Sequence, residues 1–131
     1  MSLKNVKYLV VLLSIVSCNN LTMENIFKDE NLPLKVDGNV TDVEFYRGGN
    51  ITLVVKEKDG KIKRASVDTL YKEIIKKGDY FIKQANSNKC IIERNDSMIY
   101  LDCYNIPKDI RDSIGKIEEW PSNQKGKWKL K

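Results

Sequence analysis

Apolar residues recur along the chain with more than one period, and each period predicts a different element. Apolar and polar positions alternate over residues 43–47, 51–57 and 61–66, which predicts three strands. The first two are separated by Gly48-Gly49-Asn50 and the next two by Lys58-Asp59-Gly60. Asp-Gly between alternating runs signals a hairpin, because a type I′ turn takes positive φ at both central residues, so an antiparallel meander is expected. The spacing then changes to i, i+3, i+4, i+7, i+8 through Val67, Leu70, Tyr71, Ile74 and Ile75. Asp68 near the start, Lys76 and Lys77 near the end and Gly78 just beyond complete the pattern of a short amphipathic helix. A second helical period runs through Ile106, Ile110, Ile114, Ile117 and Trp120, with Asn105 as a candidate cap, Pro107 in the first turn and Pro121 as the stop. Gly115 weakens that helix by about 1 kcal/mol relative to Ala. Between the helices, residues 79–84 read as a strand leading to a hairpin over 89–104, where Asn95-Asp96-Ser97 interrupts two runs of β-branched and aromatic residues. Residues 127–131 alternate like a last strand with one wet face. The expected fold is α+β: a small antiparallel sheet of hairpins with two short amphipathic helices.

The amino-terminal residues follow neither period. Lys4 and Lys7 precede an unbroken apolar stretch over 8–13, continued by Ile15 and Val16. The run is shorter than the roughly 20 residues that cross a bilayer core, and its basic start and short apolar middle are the parts of a secretory signal peptide. Ile15-Val16-Ser17-Cys18 resembles the lipobox of bacterial lipoproteins, with apolar residues three and two positions before the cysteine and a small one directly before it. Leu is commoner than Ile at the first of these positions. The resemblance implies cleavage between Ser17 and Cys18 and acyl chains on Cys18, which hold a protein to a membrane at about 0.8 kcal/mol per buried methylene. An ordinary cleaved signal with an incidental Cys18, and an uncleaved anchor helix, are the alternatives. The chain thus divides into a signal over 1–17, a lipidated cysteine and tether over 18–42, and a domain over 43–131. Asn19, Asn20, Asn25, Asn31, Pro33, Asp37, Gly38 and Asn39 break any long period in the tether, while Ile26, Phe27, Leu32 and Leu34 offer apolar side chains to dock on the domain.

Composition changes this picture in three places. With 131 residues, 41% of them hydrophobic and 31% charged, one globular domain is expected. The chain has no His, so the commonest general base and metal ligand are missing and no cofactor is expected. The formal charge of +5 and pI near 9.0 suggest an anionic partner. Removal of residues 1–17 with their two lysines leaves 114 residues carrying 21 basic and 18 acidic groups, a formal +3, and nucleic acid is not an expected partner.

Export also changes the meaning of the cysteines, since disulfides form and persist outside the cytoplasm. A hairpin centred on Asp96-Ser97 pairs positions whose numbers sum to 193, and Cys90 and Cys103 satisfy that sum. A disulfide there contributes about 3 kcal/mol, and two reduced buried thiols are the alternative. No Cys-x-x-Cys spacing suggests redox catalysis.

Gly78-Asp79-Tyr80-Phe81-Ile82-Lys83, followed by a hairpin turn at Arg94-Asn95-Asp96, is similar to a cadence in small uncharacterised lipoproteins of the Bacteroidota, and the Lys- and Asn-rich composition agrees with that source. In those bacteria, acidic residues directly after the lipidated cysteine resemble a surface-export signal. Asn19-Asn20-Leu21-Thr22-Met23 lacks them, which implies the periplasmic face of the outer membrane.

Two features remain as candidate chemistry. Asp109 and Asp112 lie one helical turn apart with Glu118-Glu119 beyond, an arrangement open to a carboxylate-dependent hydrolase; ion pairs of Asp112 with Lys108 and Lys116 explain it as well. Lys125, Lys127, Lys129 and Lys131 interleave with Trp128, which fits contact with anionic lipid or an envelope partner, or a charged edge strand that resists aggregation. The function expected is that of a membrane-anchored binding or structural module and not an enzyme. A periplasmic inhibitor or immunity protein and a small hydrolase are the alternatives.

Overall fold

The computed structural model of the protein describes residues 22–46 and 50–131. Cys18, Ser17 and the signal lie outside the described residues, as does the glycine pair at 48 and 49. The chain enters through a single α-helical turn, α1 (Met23–Ile26), which widens into a π-helical turn (Phe27–Asn31). Seven strands follow: β1 (Val36–Phe45), β2 (Asn50–Glu57), β3 (Ile62–Asp68), β4 (Tyr80–Lys83), β5 (Lys89–Arg94), β6 (Ser97–Asp102) and β7 (Lys129–Leu130). A second helix, α2 (Lys108–Ile114), lies between β6 and β7. The strands form one sheet in the order β3-β2-β1-β4-β5-β6-β7, antiparallel at every step.

The sheet is rolled. At the seam the Asp68 N–H donates to the carbonyl of Cys103, the residue just past β6, at 3.1 Å. β1 is the pivot of the roll, since its first residues pair with β4 (Val36↔Lys83 to Asn39↔Tyr80) and its longer part pairs with β2 (Gly38↔Glu57 to Phe45↔Ile51). A register shift between Val40 and Asp42 adds twist where the two pairings part. Alternate residues of the rolled strands meet inside: Val36, Val40, Leu53, Val55, Ala65, Phe81, Ile92 and Ile99 are all buried. Each such Val, Leu, Ile or Phe contributes about 1.5–3 kcal/mol. Tyr71, Ile74 and Ile75 pack onto this core from the segment after β3. A smaller cluster of Phe27, Ile106 and Ile110 sits outside the roll, and Tyr104 packs against both.

The antiparallel sheet agrees with the sequence pattern, but only the second of the two expected helices forms, the other short helix being the unexpected turn at Met23–Ile26, and the differences have physical causes. Ordered structure does not wait for residue 43. Phe27, Val36 and Val40 are buried, and Asp37-Gly38-Asn39 continues β1 instead of breaking it. Val67 fits a helical period and a strand period equally well; pairing with Ile51 takes it into β3, and only a 3-10 turn (Thr69–Tyr71) follows, capped by Asp68 Oδ1 accepting from the Leu70 N–H at 2.9 Å. The helix expected from Ile106 to Trp120 is confined to Lys108–Ile114, because Gly115 takes φ 81° and ends it. Its N-cap is Pro107, and Asn105 plays no part in capping. The turn after β2 keeps Gly60 at φ 86°, but Glu57 N–H bonds to Lys61 O, so the loop has three residues and not the two of a type I′ turn. The last strand covers only Lys129–Leu130, paired to β6 through Ser97↔Leu130.

Candidate binding groove

The seam between β3 and the end of β6 leaves a groove of about 490 Å³. One wall is the amino-terminal turn with Ile26, Phe27 and Glu30; the opposite wall is the segment from Tyr104 to Ile110; Val67 and Asp68 lie between them. Ile106, which precedes α2, and Ile110 within it both line this wall and pack in one cluster with Phe27. The Phe27 ring meets Tyr104 edge-on, with centroids 5.4 Å apart and planes at 90°. The Tyr104 hydroxyl donates to Asn31 O at 3.3 Å, and burial pushes its pKa well above the usual phenol value. An apolar floor edged by the carboxylates of Glu30 and Asp68 suits an apolar side chain or tail carrying a donor or a cation.

A fully buried amide holds the second wall. Asn88 Nδ2 donates to Tyr104 O at 3.1 Å and to Glu119 Oε2 at 3.0 Å, and Asn88 Oδ1 accepts from the Tyr104 N–H at 2.9 Å. Glu119 is in turn forked by Arg111, which holds its carboxyl below the usual carboxylate range. Next to this hub Cys90 and Cys103 lie at disulfide distance, with Cα atoms 5.2 Å apart. The hairpin turns at Asn95-Asp96, with Asn95 at φ 53°, so paired positions sum to 191 and Cys90 faces Leu101. Cys103 is reached on the diagonal. Nothing in the spacing of Ser87-Asn88-Lys89 marks Asn88 as a hub, since a polar residue ahead of a strand looks like any loop residue.

The first wall is fastened by a buried lysine. Lys83 occupies an interior position of β4, and its Nζ donates to the carbonyls of Leu34 at 2.7 Å, Leu32 at 3.0 Å and Gln84 at 3.1 Å. Burial lowers its pKa to about 8 from an ordinary 10.5. Between those values the folded protein has released a proton that the unfolded chain still holds, so stability should rise with pH from 8 towards about 9.5, by on the order of 1 kcal/mol. Above that range Tyr80 acts in the opposite sense, because its hydrogen bond to Asp37 raises its pKa to about 12. Urea unfolding of the wild type and of Lys83→Met at several pH values in this range checks the assignment: the variant should lack the rise, and parallel curves would rule it out.

No family model, curated protein or solved structure matches the chain. The groove's chemistry therefore rests on its own residues.

The other candidate residues lie elsewhere. Three lysines of the row have partners: Lys125 pairs with Asp102 at 2.8 Å, the exposed Lys131 pairs with Glu93 at 3.2 Å, and the exposed Lys129 lies over the Tyr100 ring at 5.4 Å. Trp128 stacks on the Arg94 guanidinium at 4.7 Å. Lys127 is exposed. The segment thus packs on the outside of the β5–β6 hairpin, with Lys127, Trp128, Lys129 and Lys131 exposed along it. The carboxylates do not converge, since Asp109 and Asp112 are exposed and Glu119 is committed to Arg111. The ion pairs expected of Asp112 do not form among the described residues, and Lys116 lies beyond the helix end at Gly115.

Proposed function

We propose that the protein is a lipid-anchored module of the bacterial envelope, facing the periplasm from the outer membrane, that binds an envelope partner through the groove at its seam. The observation carrying this reading is the position of α1, which starts at Met23. Only three residues, Asn19, Asn20 and Leu21, lie between Cys18 and Thr22, at most ~14 Å of extended chain. The segment leaving a lipid on Cys18 therefore becomes a groove wall almost at once, and the long tether suggested by residues 18–42 shrinks to a few residues. Cys90 and Cys103 at disulfide distance suit an oxidising compartment. No helix among the described residues is long and apolar enough to cross a membrane.

Metabolic labelling with an alkyne fatty acid, followed by mass measurement, tests the anchor. Wild type should carry the label on an amino-terminal Cys18, and Cys18→Ala should carry none. A wild-type chain that is unlabelled, or cut elsewhere than before Cys18, sinks the reading. In the same preparation Cys90 and Cys103 should resist alkylation until reductant is added.

A further inference from the structure

Phe45, Tyr46 and Leu70 are large apolar side chains left 57%, 56% and 73% exposed. The fold gathers them. Phe45 pairs with Ile51 and Ile51 with Val67, so the end of β1 and the end of β3 flank the same residue of β2. Leu70 sits on the 3-10 turn directly after β3, and the next residue but one, Lys72, reaches back to lie over the Phe45 ring at 5.3 Å. Lys72, Lys76 and Lys77 are all exposed along this segment. Apolar and aromatic tips among lysines are the composition that seats a protein in the interface of an anionic bilayer.

The chain outside the described residues points the same way. Thr69, the neighbour of Leu70, lines the groove together with Ile26 and Phe27 of the amino-terminal turn. Thr22 is one helical turn before Ile26 and its carbonyl accepts the Ile26 N–H at 3.0 Å, and Cys18 is four residues further back. Resting on the anchor proposed above, a lipid on Cys18 brings this end of the molecule, and not the far end of β3 at Ile62, close to the headgroups.

We infer that the edge formed by Phe45, Tyr46 and Leu70, with Lys72, Lys76 and Lys77, lies in the headgroup layer of an anionic membrane and fixes the orientation of the domain on it.

The full-length protein carrying Leu70→Cys, labelled with an environment-sensitive dye, tests this in vesicles of phosphatidylcholine and phosphatidylglycerol containing a nitroxide-labelled lipid. Ile62→Cys is the control, because Ile62 is 58% exposed at the other end of β3. The dye at position 70 should be quenched at least about threefold more than the dye at 62. That difference should shrink in phosphatidylcholine alone and in Lys72→Glu/Lys76→Glu/Lys77→Glu. Equal quenching at the two sites, or stronger quenching at 62, overturns the inference, as does an unquenched position 70, the result expected if this edge docks on protein. The mass of each labelled protein is read first. If Cys18 carries no lipid, the anchor reading fails by that measurement, and the edge is judged separately on the same unacylated protein: quenching at 70 still supports it and none overturns it.

Discussion

Arg94→Ala should destabilise the protein by about 3–5 kcal/mol, one of the largest effects of any single truncation outside the apolar core. Asp79 is 3% exposed, and its carboxylate receives both arms of Arg94: Nε to Oδ1 and Nη2 to Oδ2, each at 2.8 Å. The same Nη2 donates to Ile74 O at 2.7 Å, and Asp79 Oδ2 also accepts the Lys76 N–H at 2.8 Å. One ion pair therefore fixes the segment that brings Tyr71, Ile74 and Ile75 onto the core, and the guanidinium that makes it is covered by Trp128 from the carboxyl-terminal segment. Truncating Arg94 leaves a buried carboxylate without its cation, and the cost is that desolvated charge more than the lost contact. Arg94→Lys should recover only part of the loss, because a single ammonium cannot make the two parallel bonds. Arg94→Met with Asp79→Leu should fall well short of the sum of the two single changes, since the pair of substitutions removes both charges together. Chemical denaturation of the wild type, Arg94→Ala, Arg94→Lys, the two single changes Arg94→Met and Asp79→Leu, and their combination checks this. A loss below about 1 kcal/mol for Arg94→Ala would show that Asp79 is solvated or otherwise compensated.

The hairpin that ends at Arg94 shows how far the sequence can be read. Its two strands and its place in the chain follow from β-branched runs around a polar interruption, and the cysteines meet as the pattern suggests. The turn, however, falls at Asn95-Asp96, one residue earlier than Asp96-Ser97, because Asn adopts the left-handed φ of 53° that a tight turn needs and Ser does not readily. The pairing moves by two positions, an even number, so both cysteines keep the same face and the contact survives. Residues near Val67 and Val36 are less legible for the opposite reason. Val67 satisfies both periods, and the choice is made by Ile51 across the sheet, which no local window contains. The groove is legible only in its parts. Phe27, Ile106 and Ile110 are recognisable as apolar, but they are brought together by Asn88 and by the hydrogen bond between Asp68 and Cys103, contacts between residues far apart in the chain.

Gly38→Ala should be among the most destabilising single-methyl additions in the protein, costing several kcal/mol, on the order of 3 or more. Considered as a strand residue, the substitution ought to help: Gly in a strand interior is less favourable than Ala by about 0.5–1 kcal/mol. The local geometry reverses the sign. Gly38 pairs with Glu57 of β2 and with Phe81 of β4, at the place where β1 passes from one partner to the other. A Cβ there would sit 2.4 Å from Lys56 O, 2.8 Å from the Lys56 carbonyl carbon and 2.9 Å from Glu57 Cα. All three are backbone atoms in the β2 ladder, so no side-chain rotation relieves the contact, and β2 must move away from β1. That movement loosens Val36, Val40, Val55 and Phe81, the buried residues on either side of the crossing. Asn39→Ala, one residue along on the exposed face, provides the comparison and should lie within about 0.5 kcal/mol of wild type. Thermal and urea unfolding of the two variants decide the matter. A Gly38→Ala protein as stable as wild type would mean that β1 and β2 are further apart than this crossing requires, and the pivot of the rolled sheet would have to lie elsewhere.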